Sequence, residues 1–257
     1  MKLSTIIITY NEARNIERCI RSVQKVSDEV VILDSFSTDR TPDICRSLGV
    51  RFEQRVYRNQ IDQKNHVLAL AAHDHVLSLD GDEALSEELA DSILHEKENG
   101  FPNHAYLLNR LSFYCGKWIR HGDWYPDWKL RLWNKQRANW SGVNPHDKVF
   151  PEKGINPQKL KGDLFHFTFA TYSEHENQVK KYAEISAASY LSRRRKFALF
   201  RMILSPITCL VKSYLFKGGF LDGQHGWQII KLAMMEKYLK YKRLRQLQKE
   251  DTNRRAF

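Results

Sequence analysis

Residues 75–83 read His-Val-Leu-Ser-Leu-Asp-Gly-Asp-Glu, a stretch in which an apolar run leads into an acidic turn. Its apolar run is typical of a buried strand, and an acidic turn that begins at Asp80 follows directly. Asp80 and Asp82 are one residue apart on that turn, so both carboxylates can face one hard divalent cation. Mg²⁺ prefers one or two protein carboxylates together with phosphate oxygens of a substrate. Taken alone, the turn is also compatible with a solvated acidic loop.

Strand and helix patterns alternate around this stretch. Short apolar runs predict strands over residues 3–9, 29–33, 50–54 and 75–79. Helical spacing predicts helices over residues 13–24, 41–48, 60–71 and from Ser86 onward. The alternation predicts an α/β fold class, a mainly parallel sheet flanked by helices with right-handed crossovers. Ligands of such sheets bind beyond the carboxyl ends of the strands, and polar clusters follow three of these strands, at residues 9–12, 34–39 and 80–83.

Composition and motif searches exclude several classes of protein. With 42% hydrophobic and 28% charged residues, the 257-residue chain is globular. Its four cysteines show neither a CxxC pair nor a dense framework, which predicts free thiols in a reducing compartment. The N-terminal residues do not resemble a secretory signal, so we expect the protein in the cytoplasm. Neither GxGxxG after the first strand nor GxxxxGK[ST] occurs, which argues against a classical dinucleotide fold and a P-loop ATPase.

The charge divides the sequence into two parts. Residues 1–150 carry 20 Lys and Arg against 21 Asp and Glu, whereas residues 151–257 carry 21 against 9. Residues 104–170 show short strand patterns with long loops, and the pattern is helical from about residue 172. We therefore predict one domain over residues 1–170 and a basic, amphipathic α-helical region over residues 171–257.

Several motifs along the chain resemble those of one known family. They read TYNE at residues 9–12, DSFSTDRT at 34–41, QKN at 63–65, DGDE at 80–83, KLRLW at 129–133, NPHD at 144–147, LFHF at 164–167 and GFLDG at 219–223. In order and spacing they resemble family 2 glycosyltransferases with the GT-A nucleotide-sugar-binding fold. In detail the chain is most similar to the inner-core lipopolysaccharide β-1,4-glucosyltransferases of Gram-negative bacteria. Phe36 stands where relatives commonly carry a small residue, often glycine, which leaves the geometry of that turn open.

The resemblance implies roles for most of the polar strand ends. It implies that the nucleotide sugar is held by Thr9, Tyr10, Asn11, Glu12, Asp34 (on the base), Lys64, Asp80 (near the ribose or the metal) and Arg131. It implies that Asp82 and His166 hold the divalent cation, Mg²⁺ or Mn²⁺, that bridges the sugar diphosphate. A planar guanidinium suits phosphate oxygens, and neutral imidazole suits a metal. The alternatives are a salt bridge at Arg131, a similar ion pair at Lys64 and a buried core histidine at position 166.

The chemistry follows from the leaving group, a nucleoside diphosphate whose developing charge a divalent cation stabilises as a Lewis acid. The acceptor hydroxyl loses a proton as it attacks the anomeric carbon, so we expect a carboxylate on the opposite face as general base. Asp147 matches the position where relatives carry His followed by Glu or Asp, and His146 is the candidate that orients it or the acceptor. Direct displacement gives a β linkage from an α-linked donor. The alternatives are a surface Asp147 paired with Lys148 and a plain loop histidine.

The tryptophans are concentrated in one segment. Five of the six fall within 23 residues, at positions 118, 124, 128, 133 and 140. Aromatic faces suit the apolar faces of sugars, so this segment is a candidate lining for the acceptor pocket, with Trp124 and Trp128 as acceptor-binding residues. The alternative is that a short pair of strands uses these side chains as core.

The C-terminal third contains an apolar segment in a basic setting. Residues 197–216 are apolar at 14 of 20 positions and follow the run Arg-Arg-Arg-Lys at 193–196. Arg201, Pro206 and Lys212 interrupt the segment, and its longest uncharged stretch has ten residues against the roughly 20 that a span needs, so we reject a transmembrane helix. A helix lying in an anionic membrane surface fits better. A helix packed on the main domain and a homodimer contact are the alternatives.

Together these features predict an inverting, metal-dependent glycosyltransferase on the inner face of the cytoplasmic membrane. The resemblance to inner-core glucosyltransferases implies that it transfers glucose from UDP-glucose onto the heptose of the lipopolysaccharide core. Another lipid-linked or exopolysaccharide acceptor is the alternative within the family. A nucleotide-sugar-forming nucleotidyltransferase is disfavoured because TYNEARN lacks the glycines of its phosphate loop. A nucleic-acid-binding protein, the remaining alternative, would bind DNA or RNA through residues 193–257 with a steep salt dependence, and we expect no nucleic-acid partner.

Overall fold

The structure is a computed structural model that describes residues 1–143, 146–192 and 198–255; the side chains of residues 143–146, 192–197 and 252–257 are outside the description. Its strands are β1 (Leu3–Thr9), β2 (Glu29–Asp34), β3 (Arg51–Gln54), β4 (His75–Asp80), β5 (Glu83–Leu85), β6 (Ala105–Tyr114), β7 (Lys117–Ile119), β8 (Trp128–Asn134), β9 (Ala138–Val143), β10 (His146–Pro151) and β11 (Gln158–Phe169). Its helices are α1 (Ile16–Val23), α2 (Thr41–Ser47), α3 (Gln60–Leu70), α4 (Glu87–Glu98), α5 (Tyr172–Ser192), α6 (Ala198–Cys209) and α7 (Gly223–Arg255). A π-helical segment (Leu210–Phe216) continues α6, and a 3₁₀ turn (Gly219–Asp222) precedes α7.

The chain forms two compact units. The first comprises Met1–Leu111 and Asp127–Phe167, and the second comprises Ser112–Pro126 and Thr168–Phe257. The second unit thus takes a segment from within the sequence range 1–170, and the domain boundary after residue 170 stays a prediction.

The first unit is built on a sheet whose strand order is β3-β2-β1-β4-β8-β6-β11-β5. Strand β1 pairs in parallel with β2 and with β4, and β2 pairs in parallel with β3. The added strands are antiparallel, as β8 is to β4 and β11 is to β5. The four strands predicted from the apolar runs are therefore confirmed and form the parallel block β3-β2-β1-β4, and the α/β class with flanking helices is confirmed too.

Both faces of this sheet are buried. Ile7 of β1 packs in a cluster with Ile20 of α1 and Ile93 of α4 on one face. Ile6, its neighbour in the chain, packs with Val67 of α3 and Trp133 on the other face. Successive side chains of a strand point to opposite faces, so a sheet covered on both sides requires apolar residues without alternation. This requirement explains the continuous apolar runs of β1 and β4.

In the described residues, the strand segments of the second unit are β7, the end of β6 with which it pairs and the last two residues of β11, and the rest of its regular structure is helical. Its aromatic core places His175 in a stack with Phe169, at 4.5 Å between ring centroids, and against Tyr114. The buried carboxylate of Asp222 accepts hydrogen bonds from the backbone N–H groups of Arg120 (3.3 Å) and His121 (2.9 Å). Asp222 belongs to the GFLDG motif, so this motif has a structural role in the second unit. The predicted helical C-terminal region is confirmed.

Candidate active site

The polar strand ends of the first unit lie side by side. The parallel register places Thr9 of β1 opposite Asp34 of β2, and places Ile8 opposite Asp80 of β4. Because parallel strands end at the same edge of a sheet, the three polar clusters predicted from the sequence meet there.

The loops after β1 and β2 are joined by hydrogen bonds. The backbone N–H of Asn11 donates to Ser37 Oγ (2.7 Å), and the N–H of Thr38 donates to Asn11 Oδ1 (2.8 Å). Asn11 has a φ of +55°, in the left-handed region that asparagine tolerates better than most residues. The ring of Tyr10 is exposed beside this joint. The arrangement leaves an aromatic face open to solvent at the end of β1.

Asp34 is buried and has hydrogen-bond partners of its own. Its Oδ2 accepts from the backbone N–H of Ser37 (2.8 Å) and from Gln54 Nε2 (2.9 Å), and Ser37 Oγ donates to its Oδ1. Phe36 has a φ of +59° and an exposed side chain. This is the conformation that glycine adopts most easily, so the turn keeps the backbone that a small residue would favour. The sequence left the geometry of this turn open, and the structure shows that Phe36 adopts the left-handed conformation.

A buried charge network lies behind Asp80. Arg131 Nη2 contacts both Asp80 Oδ2 (2.8 Å) and Glu83 Oε1 (2.7 Å), and Arg131 and Glu83 are 4% and 0% exposed. Lys64 Nζ lies 3.3 Å from Asp80 Oδ1. Burial raises the pKa of Asp80, but Lys64 and Arg131 outweigh it and hold that pKa well below its usual range. The salt-bridge alternative for these two cations is thus realised, and their contact with donor phosphates stays a prediction.

Asp147, the predicted base, lies on β10 with its carboxylate largely buried. Its Oδ2 is 3.2 Å from Lys64 Nζ, and Lys64 Nζ lies 4.1 Å from the centroid of the Trp140 ring. Lys64 therefore bridges Asp147 and Asp80. Among the described side chains, it is the cation that pairs with Asp147. The backbone of His146 begins β10, but its side chain lies outside the described residues, as do Asn144 and Pro145.

Asp82 and His166 form a pair. Their Oδ2 and Nε2 atoms are 3.2 Å apart, and both side chains are partly exposed. The antiparallel pairing of β11 with β5 places His166 opposite Glu83, one residue from Asp82. Among the described residues no group of three or more His, Cys, Asp or Glu side chains could hold a metal. The pair therefore offers two ligands, which fits a cation that takes its remaining ligands from phosphate oxygens and water.

Gly81, between Asp80 and Asp82, lets the backbone of this turn lie close to Thr9 and Glu12. A Cβ on Gly81 would lie 3.0 Å from Thr9 Oγ1 and 3.3 Å from Glu12 Cγ. Thr9 Oγ1 is buried and has no hydrogen-bond partner among the described residues. Burial raises the pKa of Glu12 to about 7. A hydrogen bond from Asn15 opposes this shift, and the negative charge of Asp82 adds to it. Both groups suit a polar or cationic ligand. The hydroxyl of Thr9 is buried without a hydrogen-bond partner among the described residues, and burial disfavours the anionic form of the Glu12 carboxyl.

The described tryptophans differ in their surroundings. Trp133 and Trp140 are buried in the core of the first unit, 5.9 Å apart in an edge-to-face contact. The partly exposed Trp128 carries the ammonium of Lys159 over its ring at 4.6 Å. In the second unit, Trp124 packs edge-to-face on Tyr114. The core interpretation therefore holds for two of the five, and acceptor contacts by Trp124 and Trp128 stay predictions.

Three residues of the site have roles that sequence reasoning did not assign. Gln54 binds Asp34, Glu83 binds Arg131 and the N–H of Asp80 (3.1 Å), and Trp140 packs on Lys64. Glu83 lies within the DGDE motif, so its position gave a signal. Gln54 and Trp140 reach the site through strand pairing and a β-hairpin, and no local pattern marks them.

Comparison with known proteins places this geometry in a family. Residues 4–162 match the model of glycosyl transferase family 2. An uncharacterized glycosyltransferase of Rickettsia prowazekii (strain Madrid E) is 28% identical over 98% of this chain and 89% of that protein. The lipopolysaccharide core biosynthesis glycosyltransferase LpsC of Rhizobium meliloti (strain 1021) is 22% identical over 88% of this chain and 86% of that protein.

A solved structure is similar over part of the chain. Glucosyl-3-phosphoglycerate synthase from Mycobacterium tuberculosis, in complex with Mn²⁺ and UDP-glucose, is 24% identical with a TM-score of 0.36 over 45% of this chain and 44% of that one. The family model alone covers more than half of the sequence. The chain therefore belongs to glycosyl transferase family 2 and is a glycosyltransferase with the GT-A fold.

Proposed function

We propose that this glycosyltransferase moves glucose from UDP-glucose, in β linkage, onto the heptose of the lipopolysaccharide inner core. The observation that carries the proposal is the Asp82–His166 pair at the same sheet edge as Thr9, Asp34 and Asp80. UDP-glucose, the linkage and the heptose rest on the resemblance of the motifs to inner-core glucosyltransferases, and the name of LpsC supports a lipopolysaccharide core acceptor. Another lipid-linked or exopolysaccharide acceptor is the second candidate.

The donor is held along the carboxyl ends of β1, β2 and β4. Asp34, oriented by Ser37 and Gln54, faces the base, and the exposed ring of Tyr10 packs on the nucleotide. Asp82 and His166 would hold a divalent cation, which would supply Lewis-acid stabilisation of the departing diphosphate. Arg131 and Lys64 neutralise Asp80, so the edge facing the diphosphate carries less net negative charge.

Asp147 serves as the general base. Its carboxylate accepts the proton of the acceptor hydroxyl while that oxygen forms a bond to the anomeric carbon and the bond to the diphosphate oxygen breaks. Lys64, 3.2 Å away, orients the carboxylate. Attack and departure on opposite faces invert the anomeric centre. We place this reaction at the inner face of the cytoplasmic membrane, where a lipid-linked acceptor is available.

A donor screen with purified, truncated core acceptor tests the proposal. We expect transfer from UDP-glucose with Mg²⁺ or Mn²⁺, and a β linkage in the NMR spectrum of the product. Asp82→Asn should remove transfer and metal-dependent UDP binding, whereas Asp147→Asn should lower kcat at least about a hundredfold and leave UDP binding intact. Asp43→Asn, at an exposed position on α2, is the matched control and should keep wild-type rates. An α linkage, no transfer from any UDP-sugar, or full activity of Asp82→Asn would each refute the proposal.

A further inference from the structure

The helix over Ala198–Phe216, formed by α6 and the π-helical segment, exposes an unusually apolar surface. Its most apolar 18-residue window has a mean hydropathy of 1.4, and only 11% of that window is buried. The large apolar side chains on it are 37–84% exposed: Leu199, Phe200, Ile203, Leu204, Ile207, Val211, Leu215 and Phe216. Soluble monomers rarely expose contiguous apolar surface of this kind, so it indicates a contact with something apolar.

By length and composition this helix is able to cross a membrane. The short, ten-residue uncharged stretch therefore does not by itself exclude a span. The distribution of side chains around the helix has to decide whether it crosses a bilayer or lies in its surface.

One face of the helix is packed against its own unit. Ala198 lies in a buried cluster with Tyr241 and Leu244 of α7, and Cys209 and Ser213 are buried further along the same face. Ser213 Oγ also donates to the carboxylate of Asp123. At about 100° per residue, Ala198 and Cys209 of α6 lie within about 20° of one another around the axis.

The exposed apolar side chains occupy a different face. Ile203, Ile207 and Val211 follow one another at four-residue spacing. Within α6, the mean direction of Ile203 and Ile207 lies roughly 150° from that of Ala198 and Cys209. Beyond Phe216 the surface continues with Phe220 and Trp227, both of which pack on Tyr214 at 6.2 and 5.6 Å between ring centroids. Tryptophan is enriched where proteins meet the membrane–water interface.

A polar edge separates these two faces. Arg201, Ser205, Thr208 and Lys212 recur at spacings of four, three and four residues, which places them along one line. Arg201 and Lys212 are both exposed and stand about 16 Å apart along the axis. Lys212 is also near enough to Asp123 to help lower the pKa of that carboxyl.

We infer that Ala198–Phe216 lies in the plane of an anionic phospholipid surface. In that orientation the apolar face enters the acyl boundary, while Arg201 and Lys212 reach the headgroups from the edge. A span would instead carry this polar edge and the face packed on α7 through the hydrocarbon, where unpaired charge is costly. A second copy of the chain would bring two basic surfaces together, whereas anionic lipid complements the excess of 21 Lys and Arg over 9 Asp and Glu in residues 151–257.

Vesicle flotation of the full chain tests this inference without donor or acceptor, so its outcome is independent of the proposed reaction. Phe200→Ser/Ile203→Ser should raise the lipid concentration for half-binding about tenfold or more. Arg201→Gln/Lys212→Gln should raise it about twentyfold on vesicles with phosphatidylglycerol and leave binding to pure phosphatidylcholine unchanged. Val56→Ser, at an exposed apolar site of the first unit, is the matched control and should bind as the wild type does. Melting temperatures verify that the variants fold, and Leu199→Ser/Ile207→Ser is the second apolar pair.

Two further measurements distinguish the occupants of this surface. A wash at pH 11 should strip the wild-type protein from vesicles, because an in-plane helix is peripheral. Retention after the wash would show a span and overturn the inference. Unchanged vesicle binding of both apolar pairs would overturn it too, as would light scattering that showed the apolar variants convert a dimer into monomers with lipid binding intact.

Discussion

Arg131→Met should destabilise the protein strongly. Arg131 is 4% exposed, and its guanidinium is the cation nearest to the carboxylate of Glu83, which is 0% exposed. Removing one partner of a buried ion pair typically costs about 3–5 kcal/mol because the other charge is left uncompensated. Arg110 Nη1 stays 3.6 Å from Glu83 Oε1 and compensates in part, which places the expected loss near about 3 kcal/mol.

Urea denaturation at pH 7 measures this loss. With a slope of up to about 3 kcal/mol/M, the transition midpoint should fall by about 1 M. Adding Glu83→Gln to Arg131→Met removes the stranded charge, so the double variant should be more stable than Arg131→Met alone, with a coupling of at least about 1 kcal/mol. The control is Arg21→Met, whose surface pair with Glu17 has side chains 59% and 54% exposed and should contribute less than about 0.5 kcal/mol.

The pH dependence has a defined sign. The pKa of Asp80 is held low in the folded state by Lys64 and Arg131, so the stability from this contact is fully present above about pH 4 and is lost as the pH falls below it. The difference between wild type and Arg131→Met should therefore shrink in acid. A midpoint for Arg131→Met that matches the Arg21→Met control would refute the structural role. A loss of UDP affinity without loss of stability would show that Arg131 binds phosphate instead.

The remaining predictions concern one titration and one packing contact. The pKa of Glu12 rises from 4.5 to about 7 on folding, so its contribution to stability is present below pH 4.5 and is lost as the pH rises through 7. In chelator-treated protein Glu12→Gln should match wild type at pH 4.5 and be the more stable variant at pH 8; a constant difference in denaturation midpoint across this range would contradict the burial argument. At Gly226 of α7 a Cβ would lie 1.9 Å from the carbonyl oxygen of Gly219, so Gly226→Ala should lower the melting temperature. Elsewhere in a helix this substitution stabilises by about 1 kcal/mol, and an increase in melting temperature would disprove the clash.

The strand ends were the part of the site that the sequence predicted best. A parallel strand covered on both faces needs an uninterrupted apolar run, and the first polar residue after that run marks its carboxyl end. That local rule located Thr9, Asp34 and Asp80, and the structure places all three at one edge. The partners of these residues follow no such rule, because Gln54 and Arg131 arrive through pairing with other strands.

The clustering of the tryptophans along the chain has the same limit as a guide to the structure. Trp133 and Trp140 are core residues of the first unit, and Trp124 belongs to the second. Closeness along the chain says little about closeness in space once a hairpin and a long loop intervene. Asp147 was expected to face Lys148 if it were only a surface residue, but its cation is Lys64, 83 positions away.

The apolar runs, the motifs and the composition were enough to predict the α/β class, a parallel sheet in the first 80 residues, the glycosyltransferase family and the basic, helical character of the C-terminal part. These depend on periodicity, motif order and composition, which are local properties of the chain. The tertiary structure was needed to show which charges compensate one another and which face of the helix over Ala198–Phe216 is exposed among the described residues. Burial and ion pairing are set by side chains that are distant in sequence, so no window along the chain contains that information.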